Sequence, residues 1–169
     1  MKTLKYLVLS IISCLVVVGC GDKKEKKKEG FTYENTTNST KEVVNSPNDV
    51  VLTSNDAMQF NKREIKVRSG SKVKLTFKHL GKMDKNIMGH NFVLLKSGVD
   101  LVAFGNKAAT ARDSGYIPDD GEAVIAHTKL IGGGETTVIE FEAPEKGTYD
   151  FLCSFPGHFA IMKGKFIVE

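Results

Sequence analysis

The chain has no tryptophan, four prolines, four histidines and three cysteines in 169 residues. No apolar run reaches the roughly 20 residues of a comfortable membrane span. There is no glycine-rich phosphate loop of useful specificity, no internal repeat and no heptad pattern, so nucleotide-binding loops, solenoids and coiled coils are not indicated. The formal net charge is only +4, and where it sits matters more than its size.

What is present begins with MKTLKYLVLSIISCLVVVGC. Lys2 and Lys5 make a positive start, and Tyr6 to Val18 is a short apolar run. This is the form of a secretory signal. Its end, Val17-Val18-Gly19-Cys20, resembles a bacterial lipobox, in which cleavage leaves a lipidated cysteine as the mature N-terminus. The expectation is a signal over 1–19 and acyl chains on Cys20. Each buried methylene adds about 0.8 kcal/mol of membrane affinity, so several chains hold firmly. The alternative, an uncleaved anchor helix, is disfavoured by length, and both readings export the remainder and keep it at a membrane.

The cysteines then sort themselves. Cys14 leaves with the signal, Cys20 takes lipid, and Cys153 is alone in the rest, so it has no partner for an internal disulfide. A lone thiol in an oxidising compartment is a liability unless something occupies it. Residues 20–47 are polar and charged and cannot bury enough surface to fold, which predicts a tether. The lysines between Lys23 and Lys28 suit a solvated spacer beside a lipid anchor, in contact with anionic head groups, better than nucleic acid. Residues 48–169 carry 16 Lys+Arg and 15 Asp+Glu. That domain is nearly neutral and shows no nucleic-acid footprint.

Residues 48–169 read as strands. In SKVKLTFKHL, Val73, Leu75, Phe77 and His79 alternate with Lys72, Lys74, Thr76 and Lys78, a period of two with one buried face. REIKVRSG, HNFVLLKSG, ETTVIEFEAPEKG, TYDFLCS and GKFIVE supply further candidates, punctuated by glycine and proline. The expected fold is an all-β sandwich or barrel with Greek-key-like connections. One long excursion, VDLVAFGNKAATARDSGYIPDDGE, is expected to hold a short helix around Asn106 to Arg112.

The most informative stretch is CSFPGHFAIMKG. Cys153, His158 and Met162 are spaced C-x4-H-x3-M on a loop shaped by Pro156 and Gly157, between two strands. A thiolate, an imidazole and a thioether together suit copper of the blue type, which takes two histidines and a cysteine with a weak axial methionine. Taken singly, a buried cysteine, a structural histidine and a core methionine explain each residue; their combination on one loop favours the metal. The second histidine is His79, His90 or His127, and spacing does not choose among them, although His90 follows a turn signal and opens HNFVLL. Structural zinc does not use methionine. A thiol nucleophile needs an orienting group and an oxyanion donor, and neither is identifiable.

KNIMGHNFVLL, PDDGEAVIAHTKLIGGGE and CSFPGHFAIMKG, in that order, resemble the azurins, blue copper proteins of the cupredoxin family, and NDAMQF resembles their early strand. The resemblance spans 48–169. It implies His90, Cys153 and His158 as equatorial ligands and Met162 and the Gly89 carbonyl as axial ones. The amides of Asn91 and Phe155 would bond the cysteine sulfur, His79 would be a buried non-ligand, and His127 a surface residue. The outer edge of His158 is expected to open onto the surface within an apolar docking patch of Met58, Met83, Met88, Pro156, Phe159 and Ile161, some of them implied by the resemblance. Two departures stand out. Azurins usually carry a disulfide near the start of the fold, worth about 2–4 kcal/mol, and a buried tryptophan; here neither exists, and Phe92 follows Asn91 where the tryptophan often stands.

The expected function is therefore one-electron transfer by a copper centre at the cell envelope, not enzymatic catalysis. Its partners would be redox proteins such as c-type cytochromes or terminal reductases and peroxidases, with the domain lipid-anchored and facing the periplasm. A lipid-anchored module that scavenges or delivers copper is the main competitor. A multicopper oxidase or nitrite reductase needs a further histidine cluster that four histidines cannot supply.

Overall fold

A computed structural model of the chain describes residues 46–169. The signal, the lipid site expected at Cys20 and the tether as far as residue 45 lie outside the described residues.

Alternation builds the first sheet. Along β4 (Lys72–His79) the residues Val73, Leu75, Phe77 and His79 are buried while Lys72, Lys74 and Lys78 are exposed. β4 is flanked by β1 (Asp49–Asn55), in parallel, and by β7 (Thr136–Glu142), antiparallel; the short β2 (Gln59–Phe60) closes the edge in the order β2-β1-β4-β7. The second sheet has the order β3-β9-β8-β5-β6, from β3 (Glu64–Val67), β5 (Val93–Leu95), β6 (Val124–His127), β8 (Gly147–Leu152) and β9 (Lys163–Val168). β3 runs parallel to β9, and the other pairs in this sheet are antiparallel. The chain crosses between the sheets after β2, β3, β4, β6 and β7 and stays within one sheet at β1–β2, β5–β6 and β8–β9, the expected Greek-key sandwich.

Leu52, Leu75, Phe77, Phe92, Leu94, Phe151 and Phe166 fill the core, all fully buried. Each such side chain contributes about 1.5–3 kcal/mol on burial. With no tryptophan, phenylalanines fill the centre: Phe92 lies 5.5 Å from Phe151 and 6.5 Å from Phe166, ring to ring. In place of a disulfide at the start of the fold there is a polar tie. Asn48 is 2% exposed. Its Oδ1 accepts from the Arg68 N–H (2.7 Å), and its Nδ2 donates to the carbonyls of Arg68 (3.0 Å) and Ser71 (3.4 Å). The head of β1 is thereby fixed to the turn between β3 and β4.

Three expectations are corrected. The helix of the excursion is α2 (Leu101–Ala108), earlier than Asn106 to Arg112, because Asp100 caps it by accepting from the Val102 and Ala103 N–H groups (2.8 and 2.9 Å); the capping aspartate was the overlooked start signal. The segment Arg112–Ser114 is only a 3₁₀ turn. A second, one-turn helix, α1 (Lys85–Met88), stands on its own cap, Asp84, within KNIM. HNFVLL is strand only from Val93, so His90 does not open it.

Candidate metal centre

Two loops at one end of the sandwich carry the site. In the first, α1 ends at Gly89, where a Cβ would lie 2.3 Å from the Lys85 carbonyl and 2.8 Å from Leu130 Cδ2. Only glycine fits there, and the next residue, His90, is delivered inward. His90 exchanges two backbone hydrogen bonds with Ile131, both 2.9 Å, in an isolated antiparallel bridge. Its ring is fully buried, and Nε2 lies 3.0 Å from the Asn55 carbonyl. A carbonyl only accepts, so the proton sits on Nε2 and the lone pair of Nδ1 is free for a metal.

In the second loop, Cys153 follows β8, and its N–H donates to the Met162 carbonyl at 2.9 Å. Gly157 adopts the left-handed region (φ 81°), which a side chain would strain, and turns the chain into a 3₁₀ turn over His158–Ala160. The His158 carbonyl accepts from the Met162 N–H at 2.8 Å. One tight turn therefore fixes the spacing from His158 to Met162.

These loops converge. His90 Nδ1 and His158 Nδ1 each lie 3.7 Å from Cys153 Sγ and 3.1 Å from each other. All three residues are buried, and they form a group able to hold a metal ion. Bonds of about 2.0–2.3 Å set at trigonal angles put donor atoms about 3.5–3.8 Å apart; the two nitrogen–sulfur edges match this, the nitrogen–nitrogen edge is shorter, and the triangle has the size for a single small ion. Soft sulfur beside two imidazoles fits copper. Met162 is fully buried and packs with Cys153, Phe155 and Tyr116, and the Gly89 carbonyl is 4.0 Å from Cys153 Sγ.

Burial sets the electrostatics. The Cys153 thiol is pushed up to about 12 by desolvation, against which the backbone N–H groups of Asn91 and Phe155 pull downward. His90 is held down at about 4, first by burial, with the Asn55 carbonyl opposing. His158 is also held at about 4 by burial, with a smaller contribution from His79. Both imidazoles are thus neutral and ready to ligate at ordinary pH, and a metal must displace the thiol proton to bind.

The remaining histidines are placed elsewhere. His79 stacks on His90 with ring centres 4.5 Å apart and 15° between planes. Its Nδ1 accepts from the Gly81 N–H (2.9 Å), so Nε2 carries the proton and donates to the Met88 carbonyl (3.1 Å). Both nitrogens are engaged, and His79 supports the ring that faces the centre. His127 is exposed.

Around the mouth, Pro156 is exposed, Met83 is 38% exposed, and Met58 and Met88 are half-buried. Phe159 turns partly inward and packs beside α2, where a Cβ on Gly105 would lie 2.4 Å from its ring. Sequence reasoning missed Leu80 (66% exposed) and Ile87 (63%), which lie in the segment between β4 and β5 that also carries Met83 and Met88, Ile87 within α1. Ile87 lies within the quoted KNIM, but a helix of one turn is too short to carry a periodicity that would show it faces water.

The sequence matches, over residues 47–169, a family model described as copper binding proteins of the plastocyanin/azurin family. It is 45% identical over 119 residues to Azurin-1 of Alcaligenes xylosoxydans xylosoxydans, covering 68% of this chain and 92% of that one. It is 44% identical over 116 residues to outer membrane protein H.8 of Neisseria gonorrhoeae, covering 66% of this chain and 62% of that one. Among solved structures it resembles reduced auracyanin of Roseiflexus castenholzii, with TM-score 0.66, 33% identity, and 73% of this chain and 98% of that one covered.

Proposed function

This chain belongs to the plastocyanin/azurin family of copper-binding proteins, and from that premise we propose that it carries single electrons between redox proteins of a bacterial envelope. His90, Cys153 and His158 would hold the copper, with the Met162 thioether and the Gly89 carbonyl as further, weaker donors. Copper, when bound, supplies a one-electron couple between its cuprous and cupric states. The chain's residues do the rest. Asn55 fixes the tautomer of His90 through its carbonyl. The amides of Asn91 and Phe155 place positive dipoles at the sulfur, which stabilises its thiolate and tunes the potential. Two loops held by a stiff sandwich keep the donors nearly still as charge changes.

The observation that carries this reading is the buried triangle of two imidazole nitrogens and one thiol, closed to within 4.8 Å. Its burial also favours electron transfer over copper delivery, which wants an exchangeable, exposed site. His158 is 4% exposed, and the proposed contact with a partner is its outer edge, at a rim containing Met83, Met88, Ile87 and Pro156. Such apolar rims suit weak, brief encounters. A lipid on Cys20 and a tether to residue 47 would let the domain sweep between membrane partners, c-type cytochromes or terminal reductases and peroxidases, at high effective concentration. Cyclic voltammetry of the copper-loaded protein tests the function: a reversible one-electron wave is expected, and irreversible loss of metal on reduction would contradict it.

A further inference from the structure

An open pocket of about 390 Å³ lies between the turn after β1 and the start of β9, lined by Met58, Gln59, Phe60, Arg63, Ile161 and Lys163. Its apolar floor is the outside of the metal centre: Met58 and Phe60 pack against the cluster of Cys153, Met162, Phe155 and Tyr116. Ile161, 51% exposed, belongs to the ligand loop itself and directly precedes Met162. Met58 is held at φ 55°. A left-handed methionine costs of order 1–3 kcal/mol, and such strain tends to collect at working surfaces.

The rim is cationic. Neither Arg63 nor Lys163 has an acidic partner among the described residues. Their neighbours do: Lys165 pairs with Asp150 at 2.6 Å, and Lys66 with Glu64 at 3.5 Å and Glu169 at 3.9 Å. No acidic residue lines the pocket. Two unpaired cations thus stand beside an apolar floor whose Met58 and Phe60 pack against the cluster that contains Cys153 and Met162.

We infer that this pocket seats a carboxylate-bearing surface of the redox partner protein, an acidic docking contact on the Met162 flank distinct from the apolar rim at His158. The inference rests on the electron-transfer reading and adds to it the chemistry of the partner. Arg63 and Lys163 steer and orient the acidic surface, and the floor of Met58, Phe60 and Ile161 gives it close contact.

The test uses the nitrogen-15-labelled cuprous protein and hexacyanochromate(III), a paramagnetic trianion, with hexaamminechromium(III) as the cationic control. The amide signals of Gln59, Phe60, Ile161 and Lys163 should broaden with the trianion and not with the trication. The double variant Arg63→Glu/Lys163→Glu should lose that broadening. The milder Arg63→Gln/Lys163→Gln should weaken it, which guards against a misfolded charge-reversal variant. Oxidation by hexacyanoferrate(III), in which copper(I) gives one electron and iron(III) becomes iron(II), should slow about tenfold in the charge-reversal variant and lose most of its salt dependence. Broadening spread evenly over Lys72, Lys74 and Lys78, or unchanged in both variants, overturns the pocket. A protein that shows the anion map but no blue copper instead overturns the electron-transfer reading, so the two failures are separable.

Discussion

Asn91 and Ser154 exchange two hydrogen bonds across the metal centre. The Asn91 amide donates to Ser154 Oγ, and the Ser154 N–H donates to Asn91 Oδ1, both at 2.8 Å. Each residue directly follows a proposed ligand, His90 or Cys153, and both are fully buried. Asn91→Leu would strip both bonds and leave the Ser154 groups unpaired, at about 1–3 kcal/mol each. Urea unfolding of the metal-free variant should show a loss of about 2–6 kcal/mol, and the potential of the loaded form should shift. Wild-type stability would mean the two loops are held by something else.

Met162→Leu conserves volume in a fully buried position, so the fold should lose less than about 1.5 kcal/mol. The variant should keep its copper, while loss of the axial sulfur raises the potential. An unchanged potential in voltammetry would remove Met162 from the site.

Gly105 is a helical residue of α2, and alanine there would ordinarily stabilise by about 1 kcal/mol. Its Cβ, however, would fall 2.4 Å from the Phe159 ring, and overpacking of this kind costs about 1–3 kcal/mol. Gly105→Ala should therefore destabilise. In a Phe159→Ala background the same change should become neutral or stabilising. Equal effects in both backgrounds would show that Phe159 does not press on α2.

His90 and His158 titrate near 4 when folded, below the ordinary histidine value of about 6.5. On acidification the unfolded chain takes up protons first, so their contribution is complete above about pH 6.5 and is lost as pH falls toward 4. The melting temperature of the metal-free protein should drop across that window. The drop should shrink in His90→Gln/His158→Gln, and an unshrunken slope would place the titration elsewhere.

The sandwich and one face of the site were legible because both are written in short patterns. β4 alternates cleanly, and C-x4-H-x3-M fits on one loop. The second ligand was not legible from spacing. His79, His90 and His127 are separated from Cys153 by long stretches of chain; the turn signal before His90 leans toward it, and the resemblance to azurins is what selects it. Structure explains the choice: the close approach at Gly89 and the bridge to Ile131 aim His90 inward, while both nitrogens of His79 are spent on Gly81 and Met88. Asn48 was opaque for a similar reason, since nothing local marks its side chain as the tie to Arg68 and Ser71. The pocket cations are not legible in the sequence, because Arg63 and Lys163 come together only when β3 pairs with β9.

Cys153→Ser separates the fold from the metal. The thiol is wholly buried and the replacement is smaller, so circular dichroism should match the parent protein while the blue colour disappears on copper addition. Persistent colour would refute the cysteine as ligand.

The central claim is best tested by recording the visible and paramagnetic resonance spectra of the protein after one equivalent of copper(II). An intense blue band with an unusually narrow copper hyperfine splitting, both erased by a mild reductant and restored by oxidation, is the result expected. A pale complex with ordinary tetragonal splitting, or no stoichiometric uptake, would contradict it.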